Sequence, residues 1–267
     1  MGLMSGKKGI IMGIANDKSL AWGVAQRLAE HDARMAFSYQ SETIHKRVEP
    51  LAQSIGVEDL IECDAADDES IKLLLTKFKE KYGEIDFIVH AIAFSDKKEL
   101  TGKYFNTSRR NFLNAMDVSC YSFTALCQHA DKYLADGASL LTFTYLGAER
   151  VMPNYNVMGV IKAALEASIK YLAVDFGARN IRINGLSAGP VKTLAASGID
   201  DFRYILKWNQ YNSPLKRNTT LDDVSGAALF LLSDLSSGIT GEIVHVDSGY
   251  HVMGMKAIDA PDVSALD

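Results

Sequence analysis

The sequence predicts an α/β fold built on a doubly wound parallel sheet. Two observations carry that prediction. Short apolar, strand-like runs alternate with segments of helical period along the chain, the order expected of a parallel sheet covered on both sides. No linker rich in Pro, Gly or Ser and no internal repeat breaks the 267 residues, so one domain spanning 1–267 is expected.

The elements follow in order. Lys8-Gly-Ile-Ile-Met-Gly13 is an apolar run closed by glycine and reads as a first, buried strand. A helix is expected over 19–30, with Ser19 placed to cap it and Leu20, Val24 and Leu28 on one face. Further strands are expected at 34–39, 59–63, 85–90, 139–143, 181–184 and 242–246. Helical periodicity marks 68–82, where Ile71, Leu74, Leu75, Phe78 and Tyr82 repeat, and then roughly 107–135, 155–176 and 221–232. The result is a Rossmann-like sheet of about seven strands, flanked by helices on both faces. The interval 187–220 stands apart, with small residues first, helical ones afterwards, and more length than an ordinary connection. Insertions of this kind at a strand's C-terminal end form lids, and a substrate-binding lid is expected at about 191–210.

Composition excludes several function classes. Hydrophobic residues make up 48% and charged residues 23%, enough for a sizeable core. A net charge of -5 gives no electrostatic footprint for nucleic acid. The longest apolar runs, such as Ala227-Ala-Leu-Phe-Leu-Leu232, fall far short of the ~20 residues of a membrane span. Met1 to Lys8 leads into a strand pattern without a secretory apolar region, so a cytoplasmic protein is expected. Cys63, Cys120 and Cys127 are odd in number and widely spaced, as buried thiols in a reducing compartment would be. The six histidines show no H-x-x-x-H spacing and no neighbouring cysteine pair, so no metal site is expected.

Open parallel sheets bind ligands beyond their strand C-termini, where strand order reverses. The first such turn runs from Gly13 to Gly23 and departs from G-x-G-x-x-G, because Ala15 replaces the second glycine and the turn is longer. A tight turn with no ligand would also want Gly13. Its place between a strand and a helix start raises the dinucleotide reading, because free N–H groups there suit a pyrophosphate. Ser19 would then serve both as cap and as phosphate contact. The second strand ends Tyr39-Gln40-Ser41-Glu42. Gln40 can hydrogen-bond a ribose hydroxyl, whereas Glu42 would repel a 2′-phosphate, so NADH is favoured over NADPH. Lys46 and Arg47 keep the alternative open. Asp64, ending the third strand, can accept from an adenine amino group or can serve as a plain strand-end turn residue.

The fifth strand ends at Thr142-Phe143-Thr144, which puts Tyr145 at the sheet's C-terminal edge. Pro153 and Asn154 supply a helix start, and that helix is expected to carry Tyr155 and Lys162. Many nicotinamide-dependent reductases place a lysine four residues after the tyrosine, but here that position is Gly159. Seven residues at ~100° each return a side chain to within about 20° of its starting direction, roughly 10 Å further on. Tyr155 and Lys162 therefore share a face, the lysine stem leaning back toward the tyrosine and Val151, Met158 and Ile161 crowding round. Reduction by hydride leaves negative charge on an oxygen, as alkoxide or enolate. A tyrosine hydroxyl of ordinary pKa ~10 can stabilise that oxyanion when a cation sits nearby. Each residue alone has a plainer reading, Tyr145 as an amphipathic edge residue and Lys162 as a solvated helix charge.

Together these residues resemble a known family. Tyr145-Leu-Gly-Ala-Glu-Arg-Val-Met-Pro-Asn-Tyr155-Asn-Val-Met-Gly-Val-Ile-Lys162, followed by Ser187-Ala-Gly-Pro-Val-Lys-Thr-Leu-Ala-Ala-Ser-Gly-Ile199, closely resembles the bacterial enoyl-acyl-carrier-protein reductases of type II fatty-acid synthesis. Those enzymes are divergent members of the short-chain dehydrogenase/reductase superfamily. The likeness runs from Ser5 to Gly249, and the ten-residue step from Tyr145 to Tyr155 is the family's own. The resemblance implies reduction of a trans-2-enoyl thioester by NADH, on a substrate carried by acyl carrier protein. It assigns Tyr155 to the enolate oxygen, Lys162 to the cofactor ribose and Tyr145 to the acyl thioester. By position, Gly13, Ser19, Leu20, Gln40, Asp64, Ala65, Ile92, Val191, Thr193 and Ala195 would contact the cofactor, and Ser95 the substrate. The lid would turn Leu194, Ala195, Ile199, Phe202 and Ile205 toward the acyl chain. Arg203, Lys207, Lys216 and Arg217 are the basic candidates for docking the acidic carrier. A homotetramer is implied as well, and the apolar sequence Tyr250-His-Val-Met-Gly-Met255 needs burial. A carbonyl reductase of the same fold would instead want lysine at 159, and a non-catalytic cofactor sensor would lack the tyrosine or the lysine.

Overall fold

The computed structural model of the chain describes residues 2–194, 196 and 200–263. Seven strands form one sheet: β1 (Lys8–Met12), β2 (Arg34–Tyr39), β3 (Leu60–Glu62), β4 (Ile85–His90), β5 (Leu134–Thr144), β6 (Arg182–Ala188) and β7 (Ile243–Val246). Their spatial order is β3-β2-β1-β4-β5-β6-β7, and every pairing is parallel. Strand order therefore reverses between β1 and β4, and that is where the ligand rule places a site.

The sheet divides two cores. On one face α1 (Leu20–Glu30), α2 (Glu42–Ser54) and α8 (Leu221–Leu232) pack through Ala21, Val24, Leu28, Val48, Val224 and Leu231 against Ile11, Phe37 and Val89. On the other, α3 (Asp68–Tyr82), α4 (Arg109–Met116), α5 (Ser122–Ala130) and α6 (Asn156–Phe176) pack through Leu74, Ala115, Phe123, Ile161 and Leu165 against Ile10, Ile88 and Leu140. Strands sandwiched in this way are buried on both sides, which explains why β1 and the Phe87–Val89 stretch of β4 read as apolar runs rather than alternations.

Five expectations are corrected. α2 was not expected, because its apolar stripe is thin: only Val48 and Ala52 are buried, and Pro50 sits inside the helix. The segment 107–135 is not one helix. A π-helical turn, Asp117–Tyr121, separates α4 from α5, and β5 already begins at Leu134 rather than 139. Ser19 stands at the N-cap position of α1 but makes no side-chain cap bond. Tyr155 precedes α6 instead of riding on it, because Asn154 takes left-handed backbone (φ 55) and the helix begins at Asn156. After β6 the chain passes through 189–201 into α7 (Phe202–Asn212), the helical part expected of the long insertion. The three cysteines are buried free thiols. Among the described residues no helix is long and apolar enough to cross a membrane.

Candidate active site

At the switch point the backbone of Gly13 takes φ 99, and a Cβ there would stand 2.1 Å from the carbonyl oxygen of Ala91, just beyond β4. Only glycine lets the β1 turn pass that close to β4. The Ser19 hydroxyl then ties the turn down, accepting from the N–H groups of Ala15 (3.0 Å) and Asn16 (3.1 Å). Because the hydroxyl is engaged there and not in the first turn of α1, the positive end of that helix is left for an anion. A glycine-crossed cradle beside an uncapped helix start fits a dinucleotide pyrophosphate. Leu20 and Val191 pack on the adjoining core, and Ile92 and Ala65 on the opposite one.

The candidate adenosine end lies at the C-terminal ends of β2 and β3. Gln40 donates from Nε2 to Asp64 Oδ1 at 3.3 Å, and Asp64 Oδ1 also accepts from the Ala66 N–H at 3.0 Å. Glu42, opening α2, pairs with Lys46 at 3.6 Å. Lys46 is thus paired with the carboxylate that would repel a 2′-phosphate.

The candidate catalytic residues lie beyond β5. Tyr145 and Tyr155 meet edge to face, ring centroids 5.0 Å apart. Burial pushes both hydroxyls well above the ordinary tyrosine range, and Tyr145 and Glu166 push Tyr155 further. Lys162 is buried, not solvated, and donates from Nζ to the carbonyl oxygen of Phe143 at 2.7 Å. Burial lowers its ammonium to about 8. Met158 and Ile161 are buried close by, as expected, whereas Val151 is 99% exposed and plays no part in crowding the pair.

The unexpected members are two glycines. Leu146–Ala148 forms a 3-10 turn, and a Cβ on Gly147 would stand 2.4 Å from Cδ1 of Tyr155. A Cβ on Gly159 would stand 2.7 Å from the Gly147 carbonyl oxygen. α6 thus lies directly on this turn at the position where a Tyr-x-x-x-Lys reductase has its lysine. A side chain at 159 has no room, and the cation arrives one turn later at Lys162.

Other predicted residues are placed less directly. Ser95 Oγ accepts from Asn111 Nδ2 at 3.1 Å, so the first α4 turn holds it. The π turn brings Ser119 to Phe94, whose N–H donates to Ser119 Oγ at 2.8 Å. Thr193 Oγ1 accepts from the Ala196 N–H at 3.1 Å, closing a turn after Val191. Leu194 is exposed while Ile205 is buried; Ala195 and Ile199 lie outside the described residues. Of the basic docking candidates, Lys216 is bonded to Asp259 at 2.8 Å and Arg217 to Asp223 at 2.6 Å. Sequence reading missed His90, Glu166, Gly147 and Asn111, all defined by contacts between distant segments.

A helix that carries a lysine to the end of the fifth strand, across the sheet from a dinucleotide turn, is the layout of the short-chain dehydrogenase/reductase class. Within it, residues 13–251 match the profile of the family described as enoyl-(acyl carrier protein) reductase, and the chain belongs to that family. It is 62% identical to enoyl-[acyl-carrier-protein] reductase [NADH] 1 of Rhizobium meliloti, over 99% of this chain and 97% of that protein. It is 53% identical to the second such enzyme of the same organism, over 100% of this chain and 99% of the relative. Among solved structures, the reductase of Anaplasma phagocytophilum in complex with NAD superposes with a TM-score of 0.93 at 59% identity, covering 98% of each chain.

Proposed function

We propose that this chain reduces trans-2-enoyl thioesters, carried by acyl carrier protein, to saturated acyl thioesters with NADH. The observation that carries this reading is the contact of Gly159 with the Gly147 carbonyl, which leaves no place for the lysine of a carbonyl reductase. Bound along Gly13, Ser19, Leu20, Gln40, Asp64, Ala65, Ile92, Val191 and Thr193, NADH supplies the hydride for the substrate's β-carbon.

The chain's own residues do the rest. Tyr155 keeps its proton at neutral pH, because burial disfavours the phenolate, and so remains a hydrogen-bond donor. Aimed at the thioester carbonyl, that donor stabilises the oxygen as enolate charge develops, and the enolate then takes a proton, drawn from solvent water, at its α-carbon to give the saturated thioester. Tyr145, packed on its edge, borders the thioester and restricts the Tyr155 ring. Lys162 holds the nicotinamide ribose hydroxyls and adds a positive field. Ser95 borders the substrate, and the 191–210 segment closes over the acyl chain within one domain spanning 1–267. Arg203 and Lys207 on α7, with Lys216 and Arg217, are the basic docking candidates for the acidic carrier. Exposed Val252, Met255 and Ile258 support a homotetramer. Buried free thiols support a cytoplasmic setting.

The test is NADH oxidation with a short enoyl thioester against a ketoacyl thioester, with NADPH in parallel. Turnover of the enoyl substrate alone is expected, lost in Tyr155→Phe and Lys162→Ala. No turnover of the enoyl thioester would sink the reading.

A further inference from the structure

α6 grips the last two residues of β5 at consecutive positions. Lys162 holds the carbonyl of Phe143, and one turn later Glu166 Oε1 accepts from Thr144 Oγ1 at 2.6 Å. Tyr145 follows directly. Glu166 is partly buried, and desolvation raises its carboxyl above the usual range even as the Thr144 hydroxyl opposes the rise. A solvated helix glutamate would take neither that burial nor so short a bond. Its charge also reaches both catalytic candidates, raising the Tyr155 hydroxyl and opposing the depression of Lys162.

The other charged groups that face Glu166 come from three elements. Lys170 stands one turn further along α6, Glu149 follows the turn after β5, and His245 lies on β7. His245 Nε2 sits 2.6 Å from Glu149 Oε1, so those two are already engaged with each other. Lys162 itself also faces Cys120 on the π turn and His90 on β4, and Glu166 is the carboxylate that acts on it while holding the β5 terminus.

We propose that Glu166 is a positioning residue for the reaction, fixing the strand end from which Tyr145 departs and supporting the charged state of Lys162. The activity readouts rest on the enoyl-reductase reading above; a binding readout stands apart from it. Without the negative charge, Lys162 gives up its proton at lower pH.

The experiment compares Glu166→Gln, Glu166→Asp, Thr144→Val and Thr144→Ser with the parent protein. Turnover of a short enoyl thioester is measured, and NADH affinity is followed by nicotinamide fluorescence from pH 6 to 10. In the parent, NADH binding weakens as pH passes about 8, where Lys162 deprotonates. In Glu166→Gln that weakening begins at lower pH, and kcat falls on the order of tenfold with substrate KM nearly unchanged. Glu166→Asp keeps the charge but not the reach, so its kcat falls while its NADH profile stays near the parent's. Thr144→Val lowers kcat without moving the profile, and Thr144→Ser restores it. An unmoved NADH profile in Glu166→Gln overturns the proposal. Full kcat in Thr144→Val also overturns it, even if Glu166→Gln does not fold. A parent that binds NADH as described yet leaves the enoyl thioester untouched counts against the assigned reaction, not against Glu166.

Discussion

His90 and Thr142 face each other across the β4–β5 ladder, Nδ1 3.1 Å from Oγ1, while the imidazole's Nε2 lies 2.9 Å from Ser122 Oγ. Both ring nitrogens are thus satisfied in a ring with no solvent exposure. Burial and the nearby Lys162 push the imidazole down to about 3. Between pH ~6.5 and 3 the unfolded chain takes up a proton that folded His90 refuses, so stability falls as pH falls, by at most about 1.4 kcal/mol per pH unit. Above pH ~6.5 this contribution is complete and constant. Urea midpoints for His90→Gln should therefore change less across pH 6.5 to 4 than the parent's. A constant loss of about 1–3 kcal/mol from the severed bonds is expected at all pH values. Parallel curves for the two proteins would contradict the burial argument.

Lys162 gives a slope of the same sign in a higher pH window. Folding moves its ammonium down to about 8, whereas the unfolded chain keeps it near ~10.4. Between those values the unfolded state holds more protons, so the parent gains stability as pH rises through that window. Below pH 8 the folded state bears the full cost of a buried charge. Lys162→Met should lose turnover yet match or exceed the parent's stability at pH 7, by up to about 2–3 kcal/mol. That advantage should shrink between pH 8 and ~10.4. A clearly less stable variant at pH 7 would show that the bond to Phe143 outweighs desolvation.

At Gly159 the obstacle is backbone, the carbonyl of Gly147, which cannot swing aside as a side chain would. Gly159→Ala should force α6 off the turn that supports Tyr155. The expected cost is about 1–3 kcal/mol of stability, with kcat falling on the order of tenfold and NADH affinity nearly unchanged. Gly159→Lys, which restores the spacing of carbonyl reductases, should gain no ketoacyl turnover. Steady-state kinetics and chemical denaturation of the two variants check this.

Cofactor choice should yield to charge. Gln40→Arg combined with Glu42→Ser brings a guanidinium to the ribose and releases Lys46 from its 3.6 Å pairing. The ratio of kcat/KM for NADPH over NADH should rise at least about tenfold. An unchanged ratio would place the ribose recognition elsewhere.

The parallel sheet and the Gly13 turn were legible in the sequence because each leaves a local mark: an apolar run, a glycine before a helix start. The two-turn spacing from Tyr155 to Lys162 misled instead, because left-handed backbone at Asn154 keeps Tyr155 off the helix that carries Lys162. α2 left almost no local mark, since two buried residues and an internal proline make a weak stripe. The π turn at Asp117–Tyr121 adds one residue to a helical period that otherwise continues, so 107–135 reads as one helix. Glu166 and Lys162 both look like solvated charges on a long helix. Their burial follows from how α6 docks on the end of β5, a contact between segments about 20 residues apart that no local pattern encodes.

The sheet also acts as a partition between two kinds of inheritance. The pyrophosphate turn rides on α1, rooted in the core with Val24 and Leu28; Tyr155 and Lys162 move with α6, rooted through Ile161 and Leu165 in the core behind the other face. Packing drift in the first core reaches the Gly13 turn alone, whereas drift in the second reaches Tyr155 and Lys162 together.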